Sequence, residues 1–184
     1  MTSPASVGGD ERIRLFLGLR LRDADLDALV AWQDGRLERM RVLTRDHLHV
    51  TLAFLGRRPS AELPGIVDAL RAAAAEVDGE IRLTPVRYRE TRSVAMLVLD
   101  DENGRAGALA VDLHARLERL GVYRRERRDW LPHLTVGRFR ERPRLRLDPP
   151  RGTFVPSDAA AYLSRLRPGG AQYAVLESTA VGGS

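Results

Sequence analysis

Alternating apolar and polar residues predict β-strands at several places along the chain. The first is IRLFLGLRL from Ile13, and two later ones are EIRLTPVRYRE and SVAMLVLD. Two further apolar runs, HLHVTLAFLG from His47 and PHLTVGRF from Pro132, also predict strands, the first of them ending at Gly56. The chain is therefore rich in short strands.

Helical spacing of apolar residues predicts three helices between these strands. One covers residues 23–37 and begins with Asp23 as its cap, a second follows Ser60 and ends at Gly79, and a third runs from about Asn103 to Gly121. Their apolar stripes are Leu26, Leu29, Val30 and Leu37; then Leu63, Ile66, Val67, Leu70, Ala74 and Val77; then Ala106, Leu109, Ala110, Leu113, Leu117 and Leu120.

The order of these elements predicts an α+β fold, with antiparallel strands and helices on the outer face. A length of 184 residues suits one domain with a real core, so residues 1–184 are predicted to form a single domain, with 1–10 as a flexible tail. The Pro-rich patch from Pro143 to Pro156 is interpreted as a loop that crosses back to the first half.

A His-x-Thr pattern occurs in both apolar runs, at His49 and Thr51 and again at His133 and Thr135. Because side chains alternate along a strand, each imidazole should lie beside a hydroxyl on one face. The residues that should point into the packing behind are Val50, Leu52, Leu134 and Val136. Two imidazoles can supply an acid and a base near neutral pH, and hydroxyls can hold phosphate oxygens, which suits chemistry on a phosphodiester.

Composition narrows the possible functions. The chain has no Cys, which excludes disulfides, thiolate nucleophiles and zinc-thiolate sites. It carries a formal charge of +5, and all 30 of its basic residues are Arg, which favours polyanionic partners, although a GC-rich genome also accounts for such a composition. No run is long enough to span a membrane and MTSPASVGGD does not resemble a signal peptide, so a cytoplasmic location is expected.

The paired motifs resemble those of the two-histidine phosphoesterases, and within them the bacterial RNA 2′,3′-cyclic phosphodiesterases once described as 2′-5′ RNA ligases. RLFLGLRL from Arg14 is similar to the opening strand of that family, and LSRLRPGGAQYAVLES from Leu163 to its closing strand pair. The resemblance covers nearly the whole chain. It implies two lobes, each carrying one motif on an antiparallel sheet, related by a pseudo-two-fold axis through a central cleft.

The resemblance also implies a reaction, the hydrolysis of a 2′,3′-cyclic phosphate at an RNA end to a 2′-phosphate. His49 would be the general acid and His133 the general base. Thr51 and Thr135 would bind the non-bridging oxygens, and Arg138, at the position where the family often has a phosphate-binding Arg, would offset their charge. No metal or other cofactor is implied, the partner is such an RNA or a related nucleotide, and the protein should act as a monomer without a membrane.

Several alternatives remain open at this stage. His47 shares the face of His49, where the family commonly has Asn, and His47, His49 and His133 could form a metal site of a metal-dependent hydrolase. The chain could also be a non-catalytic module that binds RNA ends. The run YRRERRDW from Tyr123 is either a solvated loop or an RNA-binding segment, and His114 is interpreted as structural.

Overall fold

Eight strands and three α-helices occur within residues 11–182, the part of the chain that the computed structural model describes. The predicted tail, 1–10, lies outside this part. The elements are β1 (Arg12–Leu21), α1 (Asp23–Gln33), β2 (Arg41–Val42), β3 (Val50–Pro59), α2 (Leu63–Ala75), β4 (Leu83–Glu90), β5 (Val94–Asp101), α3 (Arg105–Arg119), β6 (His133–Arg138), β7 (Pro156–Arg167) and β8 (Gly170–Ala180).

All the strand pairings are antiparallel, in the order β4-β5-β6-β3-β1-β7-β8, with the short β2 beside β6. The predicted α+β class is confirmed. The two sheets implied by the resemblance are hydrogen-bonded into one, because β3 and β6 meet at the register pair Val50–Leu134. On the β3 side of this junction follow β1, β7 and β8, and on the β6 side follow β5 and β4.

The main core lies between one face of the sheet and the helices. Alternate residues of β1, namely Leu15, Leu17 and Leu19, are fully buried there and pack in one cluster with the apolar stripes of α2 and α3. Leu120, predicted as the last residue of the α3 stripe, is 49% exposed. Each such leucine contributes about 2 kcal/mol by leaving water. The opposite face of β1 carries Phe16, which belongs to a separate cluster with Ala160 and Tyr162. The sheet therefore has a second, partly open face on which a site can form.

Several predicted element ends differ from the structure. Helix α2 ends at Ala75, before the predicted Gly79. Two other ends differ for identifiable local reasons. Helix α1 stops at Gln33 because Asp34 is extended and Gly35 has a φ of +67°, and the predicted Asp23 cap is the first helical residue, with Arg22 as the capping residue. Strand β3 continues past Gly56 to Pro59. Gly56 has a φ of +67° at a register shift opposite Leu15, so it marks a bulge within the strand.

The Pro-rich segment after β6 forms a loop without regular structure, which pairs at Phe154 with Leu83 of β4. It then leads into β7 beside β1, so the predicted return to the first half is confirmed. The buried carboxylate of Glu90 holds it, accepting hydrogen bonds from the backbone N–H of Leu145 at 2.8 Å and from the Tyr88 hydroxyl at 3.0 Å. Burial acts to raise the pKa of Glu90, but the donated hydrogen bonds outweigh it and the pKa is lowered. Within 11–182, no helix is long and apolar enough to cross a membrane.

Candidate active site

The two His-x-Thr motifs meet across the centre of the sheet. Val50 and Leu134, the middle residues of the motifs, form a register pair, and both are fully buried. Because the two strands run in opposite directions, this pair places each histidine across from the threonine of the other motif. The side chains on the open face are half-buried: His49, Thr51, His133 and Thr135. The predicted alternation is confirmed, and one pair of residues assembles both motifs on one surface.

A β-bulge follows each motif at the same place. In β3, Thr51 and Ala53 pair with consecutive residues of β1, so Leu52 is the extra residue. In β6 the extra residue is Val136, between Thr135 and Gly137. A bulge reverses the alternation of faces, so the fifth residue after each histidine returns to the open face. In the first motif this residue is Phe54, which is 51% exposed; in the second it is the exposed Arg138.

The same hydrogen bond orients both catalytic candidates. Nδ1 of His49 donates to the carbonyl of His47 at 2.8 Å, and Nδ1 of His133 donates to the carbonyl of Leu131 at 2.9 Å. With Nδ1 committed to a carbonyl, Nε2 is the nitrogen at which each ring gains or loses a proton. Nε2 of His49 lies 3.1 Å from Oγ1 of Thr51. Both rings are thus fixed in the tautomer that acid-base catalysis through Nε2 requires.

Aromatic rings surround His49. Its ring centroid lies 4.8 Å from that of Phe16 in a stacked arrangement, and 5.6 Å from those of Tyr162 and Tyr173. Gly18 completes this floor, since a Cβ there would come within 3.3 Å of Cδ2 of His49. A larger residue there would have to displace the imidazole slightly, because the carbonyl of Val50 lies 3.1 Å from the same Cβ position.

The surroundings of His49 favour its neutral form. Burial lowers its pKa to about 4, and the positive charges of His133, His47 and Arg138 act in the same direction. At neutral pH the unliganded site therefore holds His49 as an imidazole that can accept a proton or a ligand's hydrogen bond.

His47 is occupied at both ring nitrogens. Nε2 donates to the carbonyl of Ala171 in β8 at 2.7 Å, and Nδ1 lies 2.8 Å from Oγ1 of Thr44. A neutral imidazole that uses both nitrogens in this way has no lone pair left for a metal ion. In the described part of the chain, no cluster of three or more His, Cys, Asp or Glu side chains has the arrangement of a metal site. The geometry favours His47 as a link between the first motif and the closing strand pair.

The segment before the second motif is an exposed loop without regular structure over residues 124–129. This agrees with a solvated loop; RNA binding by it stays a prediction. Trp130 ends the segment and donates from Nε1 to the carbonyl of Thr51 at 3.1 Å. The loop is thereby tied to the first motif beside the open face.

Phe54 was missed by the sequence analysis. Its signal was the spacing, because aligning the two motifs on their histidines places Phe54 and Arg138 at the same position, five residues later. The guanidinium carbon of Arg14 lies 4.9 Å from the Phe54 ring centroid. An aromatic ring and a guanidinium thus occupy equivalent positions in the two halves of the site.

The fold is that of a two-histidine phosphoesterase of the LigT type. Apo E. coli LigT has a TM-score of 0.78 and 23% identity over 95% of this chain and 100% of that chain. TT0787 of Thermus thermophilus has a TM-score of 0.76 and 26% identity, over 93% of this chain and 99% of that chain. A third structure, of a phosphoesterase, has a TM-score of 0.78 and 24% identity, over 94% of this chain and 100% of that chain.

The family model of the 2'-5' RNA ligase superfamily matches residues 22–167, and the chain belongs to this superfamily. No curated protein sequence matches it significantly.

Proposed function

We propose that the protein hydrolyses the 2′,3′-cyclic phosphate at the end of an RNA to a 2′-phosphate. The observation that carries the proposal is the Val50–Leu134 pair, which assembles both histidines on one open face with the same nitrogen available on each ring. A site with one acid and one base, and two hydroxyls beside them, matches the needs of phosphodiester hydrolysis.

In this reaction a water oxygen bonds to phosphorus while the bond from phosphorus to the ribose 3′-oxygen breaks. His133 takes the proton of the water at Nε2, and His49 gives a proton to the leaving 3′-oxygen, as the resemblance implies. Since the unliganded His49 has a pKa of about 4, it needs a bound anion before it can hold that proton at neutral pH. The substrate phosphate is such an anion, and its negative charge opposes that of Arg138 beside the ring.

The hydroxyls and Arg138 stabilise the charge that develops on the phosphate. In this proposal Thr51 and Thr135 donate to non-bridging oxygens, and the Arg138 guanidinium supplies a positive charge from the end of β6. Donors that are already oriented before the reaction stabilise the transition state without reorganisation. This division of tasks requires no cofactor.

The exposed ring of Phe54 offers a surface for a nucleoside. It lies on the open face at the position equivalent to Arg138, and base stacking on an aromatic ring is worth about 1–3 kcal/mol. E. coli LigT has been crystallised with 3'-AMP, with NADP+, with ATP and with phosphate. Those complexes support a nucleotide ligand here as well, with the terminal nucleoside against Phe54 and the phosphate at the histidines.

The alternatives have less support. A non-catalytic module would not need two histidines with matched tautomers, and a metal-dependent hydrolase would need His47 to give up one of its two hydrogen bonds. We infer that the two-lobed domain, 1–184, acts on RNA in the cytoplasm. Assembly of the site from a single chain supports a monomer.

The test is product analysis with a short oligonucleotide that ends in a 2′,3′-cyclic phosphate. The proposal predicts a 2′-phosphate as the only product, in the presence of a chelator. A 3′-phosphate would mean that the 2′-oxygen leaves, which contradicts the proposed positions of His49 and His133. Binding without turnover would instead favour the non-catalytic module.

A further inference from the structure

The β-bulge directly after each His-x-Thr motif accepts a hydrogen bond from a buried helix side chain. His114 of α3 donates from Nε2 to the carbonyl of Leu52 at 2.8 Å, and Gln33 at the end of α1 donates from Nε2 to the carbonyl of Val136 at 3.1 Å. Both donors are 5% exposed. Leu52 and Val136 are the extra residues of the two bulges, each directly after the threonine of its motif.

These contacts cross between the two halves of the sheet. Helix α1 follows β1, yet Gln33 reaches the second motif on β6; helix α3 follows β5, yet His114 reaches the first motif on β3. Such polar side chains are costly to bury without partners, so each one strongly favours the backbone geometry that supplies its acceptor. Gln33 also donates to the carbonyl of Leu43 at 3.1 Å, which fixes its amide group in one orientation.

We propose that Gln33 and His114 are equivalent positioning residues. Each maintains the bulge after the motif in the other half of the sheet. That bulge turns the fifth residue after the motif's histidine onto the open face. Gln33 acts through Val136 on Arg138, and His114 acts through Leu52 on Phe54. Without the bulge, strict alternation would turn Arg138 and Phe54 toward the core side, away from the histidines.

The inference rests on the proposed function for its kinetic test, but its structural test does not require activity. Gln33→Met keeps the size of the side chain and removes the donor. His114→Leu removes the other donor, and His114→Gln restores one in the form that the opposite helix already uses. Tyr88→Phe is the matched control. Tyr88 is 9% exposed, and this change removes its buried hydrogen bond of 3.0 Å to Glu90, the carboxylate that holds the Pro-rich loop.

With the cyclic-phosphate oligonucleotide, Gln33→Met should lower kcat about tenfold, because Arg138 acts on the transition state. In an Arg138→Ala background the same change should have almost no further effect. His114→Leu should instead raise KM, with no further effect in Phe54→Ala, and His114→Gln should recover most of the loss. Tyr88→Phe should leave both constants unchanged. Additive losses in both double variants would overturn the proposal, since general destabilisation does not depend on Arg138 or Phe54.

Crystal structures of the Gln33→Met and His114→Leu proteins decide the same point without turnover. The expected result is loss of the bulge at Val136 or Leu52 and movement of Arg138 or Phe54 off the open face. Unchanged bulges would overturn the proposal. A wild-type protein that is inactive on every cyclic phosphate would refute the proposed function alone, and these structures would still decide the role of the two residues. If Gln33→Met does not fold, the His114 variants, with Gln rescue, decide between a positioning role and a merely structural one.

Discussion

Val50 of β3 pairs with Leu134 of β6, and this antiparallel pair sets the middle of one His-x-Thr motif against the middle of the other. Everything on the open face follows from that register. A shift of one residue would turn one motif toward the core, because the side-chain period of a strand is two. The complete burial of Val50 and Leu134 strongly favours the observed register.

Phosphate binding should raise the pKa of His49. In the unliganded protein burial and three neighbouring positive charges lower this pKa to about 4, and a bound anion opposes both effects. NMR titration of the His49 ring, with and without inorganic phosphate, measures the change directly. A pKa that stays near 4 with phosphate bound would mean that His49 cannot act as the acid, and the roles of the two histidines would be reversed.

The same pKa predicts a loss of stability in acid. The unfolded chain, with a His pKa near 6.5, binds the proton more readily than the folded protein does, so stability falls as the pH drops from about 6.5 to 4. Between pH 7 and pH 4.5, urea unfolding of the wild type should lose about 2 kcal/mol more than that of His49→Ala. Equal losses would show that His49 titrates normally in the folded protein.

Thr51→Val and Thr135→Val should fold normally but lose catalytic efficiency, because Val suits a strand and lacks the donor for phosphate. Thr51→Val should cost more, since this hydroxyl also lies 3.1 Å from Nε2 of His49. Circular dichroism checks the fold, and kcat/KM with the cyclic-phosphate oligonucleotide checks the function. Unchanged efficiency in both variants would make the threonines purely structural.

Arg138→Ala should lower kcat by about 10²-fold, the scale of losing one charged group that stabilises a transition state. Arg138→Lys should recover only part of it, because an ammonium lacks the planar pair of donors. Arg140→Ala is the control, since Arg140 is also exposed and lies just beyond the end of β6. An equal loss of kcat in Arg138→Ala and Arg140→Ala would show that Arg138 contributes only to the overall positive charge of the surface.

Activity should survive exhaustive chelation, and His47→Asn should keep most of it. His47 links the first motif to Ala171 through its ring. The hydrogen bond that orients His49 is donated by Nδ1 of His49 to the backbone carbonyl of His47, so it does not depend on the His47 side chain. Turnover with and without chelator, before and after added zinc or manganese, is the measurement. Loss on chelation and recovery with metal would support the metal-dependent alternative.

The strands, the helices and the face occupied by each motif could be predicted from the sequence, because alternation and helical spacing are local. The bulges could not. Phe54 and Arg138 lie on the open face only because Leu52 and Val136 are extra residues, and nothing in the apolar pattern distinguishes these two from ordinary buried strand residues. Comparing the two motifs with each other at equal spacing was the available route to Phe54.

The buried polar contacts were equally inaccessible from the sequence. His114 was interpreted as structural because it lies beside the apolar stripe of its helix, whereas its acceptor, the carbonyl of Leu52, lies 62 residues away in the first motif strand. Gln33 gave no signal at all at the end of its helix. Long-range hydrogen bonds depend on how helices pack over the sheet, and local periodicity does not contain that information.

The most direct measurement of the central claim is the kcat of four proteins on the cyclic-phosphate oligonucleotide: wild type, His49→Ala, His133→Ala and the double variant. Each single change should lower kcat by about 10² to 10⁴, the range for losing a general acid or base. Because the two histidines act as a unit, the double variant should lose less than the product of the single losses. Near-normal turnover by either single variant would contradict the two-histidine mechanism.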